Sequence, residues 1–294
     1  MLSWGLVAVA VLAGVTKGYC GKKTSGLTTH FYDAVYVSAV RFGMCALLGG
    51  GLCLVQGGVL LLKPTMGLWV ALISGLAQAA FSTTWLLAVR TGAYTMLDAF
   101  LTAGILIPTV FCRLFYQEPI FPLQWLGFAV LLGAVCLMCS YNNSIKQKLT
   151  VKSVGLLIAC SASGGVVDLA QPVMNHSYPE IPAATYQCYT YLFAMAILAV
   201  LTVAIRPKGT KPVSVKKCGW QLGIMAVCLF VNSYSKLFAA RKLPAVSMYS
   251  VCQGGGLILS ALMAAVFFHE PVKKRSGLAM ILIFAAMLLI TFAG

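Results

Sequence analysis

The sequence predicts an all-α polytopic membrane protein, with ten transmembrane helices arranged as two inverted five-helix repeats. Three observations predict it. Of 294 residues, 60% are hydrophobic and only 9% are charged, with a mean hydropathy of +0.91, whereas soluble chains carry about a quarter charged residues. The apolar residues fall in runs of roughly 20, the length that crosses the hydrocarbon core of a bilayer once. The chain also aligns with itself when shifted by about half its length. A soluble fold could not cover so much apolar surface with so few charges, and about ten crossings leave no room for a large soluble domain.

In chain order the runs lie at about 2–20, 34–55, 67–89, 92–115, 121–141, 153–174, 184–205, 218–239, 244–268 and 276–293. Turn residues and charge separate them: Gly21-Lys22-Lys23-Thr24-Ser25-Gly26, Lys63-Pro64, Tyr141-Asn142-Asn143, Tyr178-Pro179-Glu180 and Arg206-Pro207-Lys208-Gly209. The first run lacks the basic n-region and cleavage site of a secretory signal, so it reads as a helix. The fourth carries Pro108. The sixth carries Ser163-Gly164-Gly165 and then Gln171-Pro172, where a regular helix is expected to kink. Trp4, Trp69 and Trp220 sit near span ends and read as interfacial anchors.

The basic excess, 21 Lys and Arg against 6 Asp and Glu for a net +15, does not point to nucleic acid, because no basic stripe is interleaved with exposed aromatics. With loops alternating sides, 14 of the 21 cations (Lys22, Lys23, Arg90, Lys146, Lys148, Lys152, Arg206, Lys208, Lys211, Lys216, Lys217, Lys273, Lys274 and Arg275) share one side. Lys63, Arg113, Arg241 and Lys242 share the other, with the termini. Positive residues collect in the cytoplasm, so this bias places both termini outside. The eleven cysteines are dispersed through apolar runs, where Cys behaves as a small hydrophobe. Cys136 and Cys139 form a lone C-x-x-C, and His30, His176 and His269 lie far apart, so neither a metal site nor a cofactor is expected.

A shift of 152 aligns 67–119 with 219–271 without a gap. Gly67 meets Gly219, Ala88 meets Ala240, Ala93 meets Ala245, Met96 meets Met248 and Gly104 meets Gly256. Phe115 and Glu118-Pro119 meet Phe267 and Glu270-Pro271, a Phe-x-x-Glu-Pro motif in each half. A shift of 150 brings Gly5, Leu6, Gly14, Ala34 and Tyr36 onto Gly155, Leu156, Gly164, Ala184 and Tyr186. The repeats are residues 1–149 and 150–294. An odd number of spans per repeat makes the two enter the membrane from opposite faces. Transporters of that construction hold substrate near the midplane, at the repeat interface.

The tract Ala88-Val89-Arg90-Thr91-Gly92-Ala93, the span with Pro108, Tyr116-Gln117-Glu118-Pro119, and Gly127 and Gly133 beyond it resemble the EamA-type half of the drug/metabolite transporter superfamily. The second half is similar to the same unit, from Leu243-Pro244-Ala245 through Gly254-Gly255-Gly256 to Phe267-Phe268-His269-Glu270-Pro271 and Gly277. Arg41 stands in the second span, where such proteins often have Arg. The resemblance implies helices one to four and six to nine around a central cavity, with five and ten outside. It also implies both termini in the cytoplasm, opposite to the charge count.

Ionisable groups inside spans are costly and therefore candidates for function. Here they are Lys17, Arg41, Asp98, Asp168 and Lys236, with Asp33 near a helix entrance. They read either as substrate ligands, with Asp98 or Asp168 as proton carriers, or as a structural ion network. Polar stripes add Gln78, Ser82 and Trp85 on the third span, and Tyr186 with Thr190 on the seventh. Asn232 and Lys236 share a face of the eighth, and Tyr249 and Gln253 one of the ninth; Tyr36 lies on the second. Such a stripe faces a cavity or a neighbouring helix. Glu118 and Glu270 end equivalent spans, where a carboxylate can accept hydrogen bonds from the turn.

The expected function is secondary transport of a small polar or amphiphilic organic metabolite by alternating access, with possible proton coupling. A zwitterion such as an amino acid suits a cavity of both signs. Export of lipophilic cations is the alternative if the basic side chains are neutralised internally and the aromatics face the cavity. A membrane-embedded enzyme acting on a lipid-linked substrate is the alternative of another class, although no acid, base or metal set converges. No nucleotide-binding loop of Walker type is present in the sequence. The expected partners are the solute and the lipid bilayer, in a bacterial-type plasma membrane.

Overall fold

The computed structural model describes residues 2–26, 28, 30–56, 66–91, 94–142, 151–206, 215–268 and 274–292. They form eleven helices and, among the described residues, no strand. These are α1 (Leu2–Ser25), α2 (Phe31–Val55), α3 (Met66–Thr91), α4 (Tyr94–Ala103), α5 (Leu106–Phe115), α6 (Pro122–Asn142), α7 (Val151–Ser177), α8 (Ala183–Ala204), α9 (Val215–Ala239), α10 (Ala245–Phe268) and α11 (Lys274–Phe292). Lys63-Pro64, Gly92-Ala93, Asn143, Pro207-Lys208-Gly209, Lys146, Lys148, Lys211, Lys273 and the second copy of the repeated motif at His269-Glu270-Pro271 lie outside the described residues.

Seven helices, α1, α2, α3, α7, α8, α9 and α10, are long and apolar enough to cross a bilayer. The shorter apolar helical stretches are Phe100–Phe115, Pro122–Ala134 and Gly277–Thr291. Large apolar side chains such as Leu47, Val55, Val200, Val203 and Ile281 are exposed on the outer faces, the surface expected of a bundle solvated by lipid. Trp4, Trp69 and Trp220 are exposed near helix starts, where indoles sit at the headgroup level.

The fourth run departs from expectation: it is two helices, not one. Pro108 has no N–H, so the carbonyl of Gly104 loses its α-helical donor. The Gly104 carbonyl instead accepts the Ile107 N–H at 3.2 Å, and the Gly104 N–H donates to Leu101 at 3.0 Å. The chain therefore tightens at Gly104 and Ile105 between α4 and α5. A Cβ on Gly165 of α7 would stand 2.6 Å from the Gly104 carbonyl oxygen. Only glycine lets the two backbones approach so closely.

Helix packing follows a regular scheme. α1 packs along α9 and α3 along α7, while α2 packs along α8 and α6 along α11. α10 meets α1, and both α4 and α5 meet α7. The α6–α11 pair attaches mainly through α10 and α4, at the edge of the bundle. Its seam is close because a Cβ at Gly127 would meet Ile290 at 2.6 Å. Gln124 secures it by donating to the Ile290 carbonyl at 2.8 Å.

A local stop positions Glu118. After α5 the Tyr116 and Glu118 N–H groups donate back to the Cys112 carbonyl at 3.0 and 3.3 Å. Gln117 adopts a left-handed φ of 56° to allow it. The Glu118 carboxylate then accepts the Ala245 N–H at 3.0 Å, capping the N-terminus of α10, where negative charge is favoured. Burial outweighs that hydrogen bond and nearby His176, and holds the Glu118 carboxyl above the usual carboxylate range.

Candidate functional site

A cavity of about 130 Å³ opens at the middle of α1, α3, α4, α7, α9 and α10. That volume is close to that of an engineered cavity that binds benzene. Of the residues singled out from sequence, Lys17, Gln78, Trp85, Asp98, Asp168, Asn232, Lys236 and Gln253 line it. Arg41 and Ser82 line a smaller adjoining void of about 10 Å³. Tyr249 lies just behind the wall, fully buried. Tyr36 and Tyr186 go elsewhere: Tyr36 stacks on Tyr32 at 6.4 Å, and Tyr186 belongs to a separate apolar cluster with Ala71, Met174 and Leu237.

Asp168 anchors one wall. Its Oδ1 accepts from Lys236 Nζ at 3.0 Å and its Oδ2 from Gln253 Nε2 at 3.4 Å, with both charged side chains buried. The backbone carbonyl of Asp168 is the one that Pro172, four residues on, cannot serve. The Tyr249 hydroxyl donates to that carbonyl at 2.7 Å. α7 therefore runs through Pro172 to Ser177 instead of breaking, because α10 supplies the missing donor. The irregularity faces protein, as backbone at membrane depth must.

Across the cavity, Lys17 lies beside the ring of Phe81 at 5.6 Å, and Arg41, Lys236, Asp168 and Asp98 are all within its electrostatic reach. Arg41 is buried, with Nη2 donating to the Ser82 hydroxyl; Ser82 passes the hydrogen bond to Ser38 at 2.7 Å. The Arg41 Nε has no acceptor among the described residues. Asn232 ties α9 to α1 by donating to the Ala10 carbonyl at 2.6 Å.

The three consecutive glycines of α10 face three different surroundings. A Cβ at Gly254 would meet Met287 at 2.8 Å, and one at Gly255 would touch Val11 at 3.4 Å. Gly256 meets nothing within 4 Å and borders the cavity. Trp85 packs against the backbone of α1, where a Cβ on Gly21 would stand 2.5 Å from the indole.

Sequence reasoning missed Gln171 and Ser233, buried and on the wall, and the backbone of Gly104, Gly164 and Gly165. Gln171 stands three residues after Asp168, the helical spacing that marks one face, and could have been found from it. Nothing in the sequence around Ser233 marks it. Among the described residues no group of three His, Cys, Asp or Glu is placed to hold a metal ion.

The fold and its exposed apolar girth define an integral, multi-pass membrane protein. No protein-family model and no curated protein matches the chain. One solved crystal structure is similar over 100% of this chain and 98% of its own, with a TM-score of 0.73 at 16% identity. At that identity the likeness concerns the fold alone.

Proposed function

We propose that this protein is a secondary transporter that carries a small polar organic solute by alternating access between two inverted five-helix repeats. The first repeat comprises α1 to α6, with α4 and α5 as one broken span, and the second α7 to α11. The observation that carries the proposal is a cavity at mid-depth, walled by helices of both repeats and containing charged side chains of both signs. Charges at that depth are retained where they contact solute, coupling ion or each other.

The packing scheme supports the inverted relation. Exchanging each span with its counterpart five spans away turns the α1–α9 contact into the α7–α3 contact, and α1–α10 into α7 with α4 and α5. The α2–α8 and α6–α11 pairs map onto themselves. A pseudo-two-fold axis between the halves gives that pattern, with the cavity on the axis. The resemblance to EamA-type drug/metabolite transporters agrees with it. Proton coupling would pass through Asp168, whose ion pair with Lys236 can be exchanged for a proton, or through Asp98.

Export of lipophilic cations is disfavoured, because Lys17 and Arg41 form no ion pair with a carboxylate among the described residues. An enzyme acting on a lipid-linked substrate would need converging acid, base or metal groups near one interface, and among the described residues no group of three His, Cys, Asp or Glu is gathered. Solute counterflow in proteoliposomes separates these readings. Saturable exchange of chemically unchanged solute is expected, and recovery of altered solute would favour the enzyme.

A further inference from the structure

Lys17, Arg41 and Lys236 all reach the centre of the bundle, and they are compensated differently. Lys236 is paired with Asp168 at 3.0 Å. Neither Lys17 nor Arg41 has a carboxylate within ion-pair distance among the described residues. Lys17 meets the face of Phe81 and the cavity. Arg41, only 4% exposed, contacts the neutral Ser82 hydroxyl and the ring of Phe42 at 5.2 Å, and its Nε is buried without an acceptor.

Both cations line the small void, with Gln78, Ser82 and Trp85, and no carboxylate lines it. Lys17, Gln78, Phe81, Trp85 and Leu229 border the void and the main cavity alike, so the void is an annex of the cavity. Asp98 lines the main cavity only, and Asp168 is engaged by Lys236 and Gln253. The annex is therefore rich in donors and electropositive, while the carboxylates lie on the main cavity.

A buried cation that no carboxylate contacts is costly, and two within reach of one another are more so. An oxyanion entering from the cavity relieves both. A planar guanidinium beside an ammonium matches a carboxylate, which accepts several charge-assisted hydrogen bonds at once. The annex is small, about 10 Å³, which favours a compact planar carboxylate over the bulkier tetrahedral head of a phosphate.

We propose that this annex is the head-group subsite of a small organic carboxylate, held between Lys17 and Arg41 with its remaining atoms in the main cavity. The inference rests on the transport reading and gives it a substrate class. The cavity, at about 130 Å³, suits a small solute of about benzene size.

Thermal-shift titration of the purified protein in detergent tests it, using carboxylates of that size beside the matching primary amides, amines and phosphate monoesters. Carboxylates are expected to raise the melting temperature and their amides are not. Lys17→Gln and Arg41→Gln each weaken carboxylate binding about tenfold or more. Each variant also raises the melting temperature of the ligand-free protein, because an unpaired buried charge is gone; a purely structural cation would lower it. Equal shifts from amides, shifts from amines or phosphate monoesters alone, no carboxylate shift at all, or full carboxylate binding by both variants overturns the subsite. Carboxylate binding without counterflow keeps the subsite and rejects carriage. Counterflow of neutral or cationic solutes alone keeps carriage and rejects the subsite.

Discussion

The hydroxyl of Tyr249 donates at 2.7 Å to the backbone carbonyl of Asp168, the carbonyl that Pro172 strips of its helical donor. A side chain of α10 thus repairs a backbone defect in α7 at the point where the Asp168 side chain meets the cavity. The same residue is fixed twice, through its carbonyl by Tyr249 and through its carboxylate by Lys236 and Gln253.

Removing that hydroxyl should leave a buried carbonyl unpaired. Tyr249→Phe is expected to cost about 1–3 kcal/mol in unfolding free energy. Pro172→Ala restores an N–H to the helix, so combined with Tyr249→Phe it should recover part of the loss. A double-mutant cycle by denaturant unfolding measures this; strict additivity would contradict the repair.

The Asp168–Lys236 pair should behave as a unit. Asp168→Asn leaves Lys236 uncompensated and Lys236→Met leaves Asp168 so, each costing about 3–5 kcal/mol. The double variant should be more stable than the sum of the two losses. Asp168→Asn should also abolish concentrative uptake while the protein remains folded; unchanged uptake would remove Asp168 as the proton carrier.

Bulk in α10 should act according to the face it occupies. Gly256→Trp enters open cavity, so transport should fail while the melting temperature stays near that of the parent. Gly254→Trp collides with Met287 and should instead lower stability. Normal flux through Gly256→Trp would contradict the placement of the solute path.

Glu118 predicts a pH dependence. Its carboxyl is held above the usual range, so between the ordinary carboxylate pKa and the raised one the folded state binds more protons than the unfolded state. Stability contributed at this site is therefore present at low pH and falls as pH rises through that window. Glu118→Gln keeps an acceptor for the Ala245 N–H and should remove this part of the decline, as read from melting temperature against pH.

Much of the spans and most of the polar side chains on the cavity wall were legible in the sequence, because both follow from the cost of polar groups in lipid. Lys17, Asp98, Asp168, Asn232 and Lys236 are dear to bury, and each reaches the cavity. Tyr36 and Tyr186 were not so readable. A hydroxyl on an apolar helix fits a cavity or a neighbouring helix equally well, and only the packing of α2 and α8 decides. The break at Gly104 was signalled only by Pro108, which in a single apolar run reads equally as a kink within one helix. The effect of Pro172 could not be read locally, since its remedy comes from Tyr249, 77 positions away. At Gly254-Gly255-Gly256 a helical rotation of about 100° per residue gives each glycine different surroundings, so the tract has no single role.

Two-sided access to Gly256 tests the carrier account most directly. With Gly256→Cys in a background lacking the other cysteines, a membrane-impermeant thiol reagent should modify the site when applied to either face of oriented vesicles. A solute that fills the cavity should slow modification from both faces. Modification from one face only, under every solute condition, would contradict alternating access.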